Sequence, residues 1–269
     1  MHLVSGAARR LKVPSCVVTL LNHVRVRLTV AYDGEGFHGF AANDGVRTVS
    51  GTLGNAIGRV VGHSVRLTCA GRTDTGVHAR GQVVTFDVPA EDLDLAYLQR
   101  AINRLCAPSI AVRDGAIVDP GFDARFSAIG RRYRYLVLNR AVPDPFLASQ
   151  SWHVEQPLNL FALSLGCDAL LGEHDFSSFC RRPKGHDVSL VRRVTDAGWT
   201  DDGEGVLRFE IEGSAFCHQM VRSIVGTLVA MGAGRRRPGE MAAIIRSRDR
   251  RYASDLAPAH GLTLLQVRY

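Results

Sequence analysis

One short stretch of the chain gathers the groups that acid–base or nucleophilic chemistry needs: Cys69-Ala-Gly-Arg-Thr-Asp-Thr-Gly-Val-His-Ala-Arg-Gly-Gln82. Arg72, Asp74, His78 and Arg80 stand there between Gly71, Gly76 and Gly81. Glycines let a backbone turn tightly or come close to a ligand, and loops on a rigid sheet are where catalytic groups tend to sit. A carboxylate so placed can act as a nucleophile or as a general base. By composition alone, a polar turn in which Asp74 bonds its own backbone is the commoner reading.

Two shorter matches are coincidences. Asp74-Thr75-Gly76 spells the D-T-G of aspartic proteases, but that chemistry needs two carboxylates sharing a proton and the chain holds no second such triplet. Gly34-Glu-Gly-Phe-His-Gly39 spells G-x-G-x-x-G after a strand, yet the residues behind it, Phe40 to Gly45, do not open the helix that a dinucleotide fingerprint requires. The six cysteines are scattered, with neither C-x-x-C nor a His partner at zinc spacing. Neither a metal site nor a disulfide framework is expected, and a reducing cytoplasm fits best.

The elements that must position Asp74 follow from apolar periodicity. Residues 24–32 alternate apolar and polar and predict a strand. Helices are predicted over 49–61 and 92–106, strands over 64–70, 82–88 and 110–118. The order is β-α-β-β-α-β. It recurs further on, with strands over 131–139, 191–200, 206–212 and 262–267 and helices over 158–171, 216–231 and 238–246. The fold class predicted is α+β: two tandem RRM-like or ferredoxin-like halves, 24–127 and 128–269, each with a mostly antiparallel sheet and helices on one face. Residues 1–23 read as an N-terminal appendage, poorly ordered, too short in its apolar part to span a membrane.

With 33 Lys and Arg against 26 Asp and Glu, the chain carries +7 and a pI near 9.4. Only Lys12 and Lys184 are lysines. Guanidinium groups grip phosphate and stack on bases, so the bias suits a nucleic-acid surface. A general preference for arginine accounts for it equally well.

The loop Ala70-Gly-Arg-Thr-Asp-Thr-Gly-Val-His78 with Gly81-Gln-Val83 resembles the active-site loop of the tRNA pseudouridine synthase A family. So, in register, do Tyr32-Asp-Gly34 with Phe37-His-Gly39, Phe122-Asp-Ala-Arg-Phe-Ser127 with Arg131-Arg-Tyr-Arg-Tyr135, and Asp175-Phe-Ser-Ser-Phe179. Met220-Val-Arg-Ser-Ile-Val-Gly226 and Ala257-Pro-Ala-His-Gly-Leu262 complete the set. The resemblance runs from about Val24 to Tyr269. It implies the pseudouridine synthase fold and a homodimer that holds tRNA in basic clefts. It implies isomerisation of uridine to pseudouridine on the 3′ side of the anticodon arm (tRNA positions 38–40), with no cofactor and no metal. Carried over by motif position, Asp74 is the catalytic aspartate and Arg72 handles the flipped nucleotide. Tyr133 packs on the target base, and Arg222 pairs with the aspartate. The chain departs from the family pattern at Phe40, Ala41 and Ser50, which bears on tRNA fit more than on chemistry.

The residues themselves agree with these roles. A base must leave its stack before attack, and an aromatic platform receives it. Strand alternation puts Tyr133 and Tyr135 on one face, with Arg132 and Arg134 on the other, although an ordinary strand tyrosine is the commoner case. Arg222 interrupts an apolar helix, where an arginine rarely lies buried without a partner. His218 reads equally as a core histidine or an RNA contact, and Arg235 to Arg237 as a solvated helix exit. The rival reading is a non-catalytic RNA-binding module of paired β-α-β-β-α-β units. Such modules stack bases on an aromatic-rich strand motif that this chain lacks.

Overall fold

The computed structural model describes residues 23–91, 93–182 and 188–269. The expected appendage therefore lies outside the described residues, except for His23, which opens the first strand.

Alternation over the first strand turns Val26, Leu28 and Val30 of β1 (His23–Tyr32) into the core and leaves Arg25 and Arg27 on the other face. Thr48 then caps α1 (Val49–Val61) by accepting from Gly51 N, and Gly62 ends it at φ +80°. The chain continues through β2 (Thr68–Cys69), β3 (His78–Pro89), α2 (Leu95–Cys106) and β4 (Ile110–Val118). Its second part runs β5 (Gly130–Leu138), β6 (Trp152–His153), α3 (Leu160–Leu165), β7 (Gly172–Asp175), β8 (Val191–Asp201) and β9 (Val206–Gly213). It closes with α4 (Met220–Gly232), α5 (Glu240–Ser247) and β10 (Leu262–Arg268).

The α+β class and the mostly antiparallel pairing are as expected, but the two sheets are one. Strand order is β4-β1-β3-β10-β5-β9-β8-β7, with β2 on β3 and β6 on β5. β10 joins the halves: it runs antiparallel to β5 and parallel to β3, pairing Thr263 with His78 and Leu264 with Ala79. This explains why the strand expected over 64–70 shrinks to two residues. β2 pairs with Thr85 and Val84 of β3, and β10 takes the same edge farther along. A side chain on Gly81 would place a Cβ 2.4 Å from the Leu265 carbonyl oxygen, so glycine is what lets β10 approach.

Helices cover a single face. Leu53 and Ile57 of α1 and Leu98 and Ile102 of α2 pack with β1 in one core, while Leu163, Ile224, Val225, Leu228 and Ile244 pack with Tyr135, Val137, Phe209 and Ile211 in another. The cores exchange members at the junction. Val77 belongs to the second, Leu264 and Val267 to the first, and Tyr133 packs against both. Burying a side chain such as Leu264 contributes about 1.5–3 kcal/mol, so β10 stabilises the half it did not come from. The opposite face carries cross-strand ion pairs, Arg25 with Asp87, Arg27 with Asp114, and Glu210 with Arg132 and Arg134, and Arg208 of the same strand also reaches Glu210.

Three other differences have local causes. The helix expected over 158–171 ends at Leu165 and is followed by a separate 3-10 turn over Asp168–Leu170; Gly166 between them lies against α4, where an added Cβ would be 2.7 Å from Leu228. The helix expected from 216 begins at Met220, because Gln219 is left-handed at φ +66°. The scattered cysteines suggested no disulfide, yet the fold pairs Cys180 with Cys217, Cα atoms 5.7 Å apart. Thirty-seven residues separate them in the chain, and spacing along a sequence does not report such proximity.

Candidate active site

The glycine-rich loop is fixed from every side. Its ends are strands β2 and β3, and its middle turns where Val77 N donates to Asp74 O. Gln82 is fully buried and donates through Nε2 to Gly71 O at 2.7 Å; Tyr32 and Thr73 share a hydroxyl hydrogen bond of 2.8 Å. Behind the loop, Phe40 N donates to Thr73 O, and the buried Phe40 ring packs near Tyr32. Phe40, one of the departures from the family pattern, is thus part of the loop's support. Gly39 lies so close that a Cβ would come within 2.9 Å of Thr73 O, and its φ of +85° favours glycine independently.

His78 ties three motifs together. Gly34 N donates to its Nδ1 at 3.0 Å, and its Nε2 faces His260 O at 3.0 Å. Asp33 Oδ1 also lies 3.0 Å from Nδ1. The opening motif, the loop and the segment before β10 are therefore clamped around one buried ring.

Asp74 takes its partners from across the junction. Arg222 Nη1 lies 3.1 Å from Asp74 Oδ2, and His218 Nε2 lies 3.2 Å from Oδ1. Arg222 is itself anchored, donating from Nε to Ala257 O at 2.8 Å while Ala257 N donates back to Arg222 O. Helix α4 can lie this close to residues 255–257 because of Gly226, whose Cβ would sit 1.9 Å from Asp255 O. The carboxylate remains 22% exposed, so a substrate can reach it.

Tyr133 is half-buried beside this pair, its ring edge-on to Phe216 at 5.1 Å. Desolvation pushes its hydroxyl up to about 12, with Arg131 opposing and Asp74 adding to the shift. It therefore stays a phenol, able to donate. Tyr135, on the same face, is fully buried and donates to Pro258 O at 2.8 Å, which makes it structural.

Arg72 is the residue the structure does not bring in. It lies exposed in the loop and forms no ion pair with Asp74 among the described residues. The guanidinium that orients the carboxylate comes from Arg222, 148 positions away. His218, by contrast, is brought in although sequence reasoning left it open. Its spacing of four residues from Arg222 was the available signal, weakened because the left-handed Gln219 separates it from the helix.

The site is a carboxylate held by a guanidinium and an imidazole, open on one side and flanked by an aromatic ring. The family model described as tRNA pseudouridine synthase matches residues 28–127 and 167–269, which include all of these groups but Tyr133. The chain belongs to the tRNA pseudouridine synthase family. Members are isomerases that convert uridine to pseudouridine in tRNA. The chain is 43% identical to the tRNA pseudouridine synthase A of Frankia casuarinae, over 91% of this chain and 89% of that one. It is 41% identical to the enzyme of that name from Halalkalibacterium halodurans, over 88% and 90%, and 38% identical to that of Bacillus subtilis, over 91% and 99%. Among solved structures, one chain titled as a Cbf5-Nop10-Gar1 complex aligns over 88% of this chain and 57% of its own, at 11% identity and a TM-score of 0.34. That score is below the range in which a shared fold follows. Among the described residues no helix is long and apolar enough to cross a membrane, and no group of three or more His, Cys, Asp or Glu converges as metal ligands would.

Proposed function

We propose that this chain isomerises uridine at tRNA positions 38–40, on the 3′ side of the anticodon arm, with Asp74 as the catalytic carboxylate. In the reaction the bond from ribose C1′ to N1 breaks, the uracil turns, and C1′ bonds to C5. The C5 proton is lost and N1 gains one, so no atom is added or removed and no electron is transferred. The chain's own groups suffice and no cofactor enters this reading. Asp74 meets the sugar as nucleophile or as general base, Arg222 holds it, Tyr133 receives the turned base, and Arg72, exposed in the loop, engages the displaced nucleotide.

The observation that carries the reading is the reach of Arg222 and His218 across the junction to one carboxylate, beside a tyrosine that packs on both cores. A passive RNA-binding module has no use for that arrangement. The homodimer belongs to the same reading, supported by exposed apolar groups such as Phe146 (92% exposed) and Val142 (69%) on the segment after β5. A cytoplasmic location does too.

The test is conversion of uridine in a tRNA transcript, with positions mapped by carbodiimide adducts. Asp74→Asn is expected to abolish conversion while leaving tRNA affinity and melting temperature close to those of the unaltered chain. Turnover in that variant, or conversion confined to nucleotides outside the anticodon arm, overturns the assignment.

A further inference from the structure

A second cavity opens beside the first site and nothing in the chemistry above uses it. It is about 700 Å³, and Ser177, Cys180, Gln219 and Asp249 line it together with Arg181, Arg182, Arg248 and Arg250. Its walls are shared with the active site. Gln219 follows His218 directly, and Arg181 N donates to His218 O at 2.9 Å.

The cavity holds more positive charge than its own acids neutralise. Asp249 is engaged by Arg251, through Nε, Nη2 and the backbone N–H. Asp175 accepts from Ser177 and lies 3.4 Å from Arg248 Nε. Neither carboxylate faces Arg250. That guanidinium gives Nη2 to Gln219 Oε1 at 2.7 Å, while its Nη1 is buried with no acceptor among the described residues. Desolvation, and then repulsion from Arg181 and Arg222, pull Arg250 below its ordinary basicity. A buried guanidinium donor without an acceptor destabilises the free protein. Gln219, which orients it, also holds a left-handed backbone unusual for a side-chain-bearing residue. Both costs fit a site shaped for something that arrives later. The missing partner must be an anion with more than one acceptor oxygen, since Arg181 and Arg250 approach from different elements.

We propose that this cavity is a phosphate site, in which Arg250, Arg181 and Gln219 receive a phosphodiester of the RNA strand next to the nucleotide turned toward Asp74. The proposal rests on the tRNA reading above and adds to it a place where the strand is gripped. A phosphate there lies next to His218, which contacts Asp74. It fixes the register of the strand, and with it which nucleotide reaches the carboxylate.

The test uses the full chain and an anticodon-arm transcript, measuring affinity by titration at several salt concentrations and turnover at saturating RNA. For Arg250→Gln, affinity is expected to fall about tenfold or more, and the log–log salt slope to lose about 0.7–0.9, one phosphate contact. Saturated turnover should fall less than affinity. Arg250→Lys, which keeps the charge, should recover the slope. Arg104→Gln serves as control, because Arg104 is exposed in the last turn of α2, away from the cavity; its affinity and slope should match the unaltered chain. The melting temperature of Arg250→Gln in the absence of RNA should hold or rise. Undiminished affinity and slope in Arg250→Gln, while the unaltered chain converts uridine, overturns the phosphate site and leaves the tRNA reading standing. Failure of the unaltered chain to bind or convert tRNA removes both.

Discussion

Removing Arg222 tests how much of the chemistry depends on holding Asp74 rather than on its presence. In Arg222→Met the side chain keeps its apolar stem and loses both polar contacts: Nη1 to Asp74 Oδ2 at 3.1 Å and Nε to Ala257 O at 2.8 Å. Hydrogen bonds to charged groups contribute about 1.5–3 kcal/mol each. If the bond to Asp74 is used fully in the transition state, its loss lowers the rate by roughly 10- to 150-fold, at about 1.36 kcal/mol per decade. His218 still touches Oδ1 at 3.2 Å, so the lower part of that range is expected. The lost bond to Ala257 acts on stability, costing about 1–3 kcal/mol, a fall of roughly 2–8 °C in melting temperature at this chain length. Arg222→Lys should fall between, since one ammonium cannot serve both acceptors as the guanidinium fork does. The assay follows from the bond inventory: a tritium at uridine C5 is released to water when C5 bonds to C1′. Single-turnover release is measured at saturating enzyme, below the melting transition of each variant. A rate for Arg222→Met within about threefold of the unaltered chain, with Asp74→Asn inactive, would show that Asp74 needs no orienting partner.

Three further outcomes are expected. Tyr133→Leu should lower single-turnover rate more than tenfold, since stacking contributes about 1–3 kcal/mol per base, whereas Tyr133→Phe should keep substrate affinity; a Leu variant that is destabilised yet turns over normally while folded would make Tyr133 packing only. Gly226→Ala should lower stability by about 3 kcal/mol or more, because its Cβ meets a backbone oxygen that no rotamer can move, and calorimetry showing an unchanged melting temperature would contradict the packing. Burial raises the Glu210 carboxyl, but the bonds from Arg134, Arg132 and Arg208 outweigh it and hold the group below its ordinary 4.5. Its contribution is thus present above that value and lost as pH falls through the lower folded value, so the melting-temperature gap between Glu210→Gln and the unaltered chain should close as pH falls below 4.5.

Local features were legible in the sequence and long-range ones were not. Alternation and helical spacing gave β1, α1 and β4 nearly to the residue, because those segments pack by their own periodic faces. Asp74 stood out because a carboxylate among glycines is locally odd. The trimming of β2 was invisible, since it depends on which strand claims the remaining edge of β3. Arg72 drew attention by adjacency, whereas His218 reaches the carboxylate only because α4 and the loop meet in space. The Cys180–Cys217 pairing was hidden for the same reason. Arg222 was legible only as a charge in an apolar helix, and by motif; its anchoring on Ala257 needed coordinates.

The placement of β10 has a consequence for synthesis. A ribosome makes the chain from the amino end, so Asp74 and its loop are complete long before residues 262–268 exist. Until that strand emerges, the edge of β3 at His78 and Ala79 has no neighbour, and the first core lacks Leu264 and Val267. Arg222, 148 positions after Asp74, is made in between. The loop that carries Asp74 therefore gains its full packing only once residues 262–268 have been made and have docked on β3.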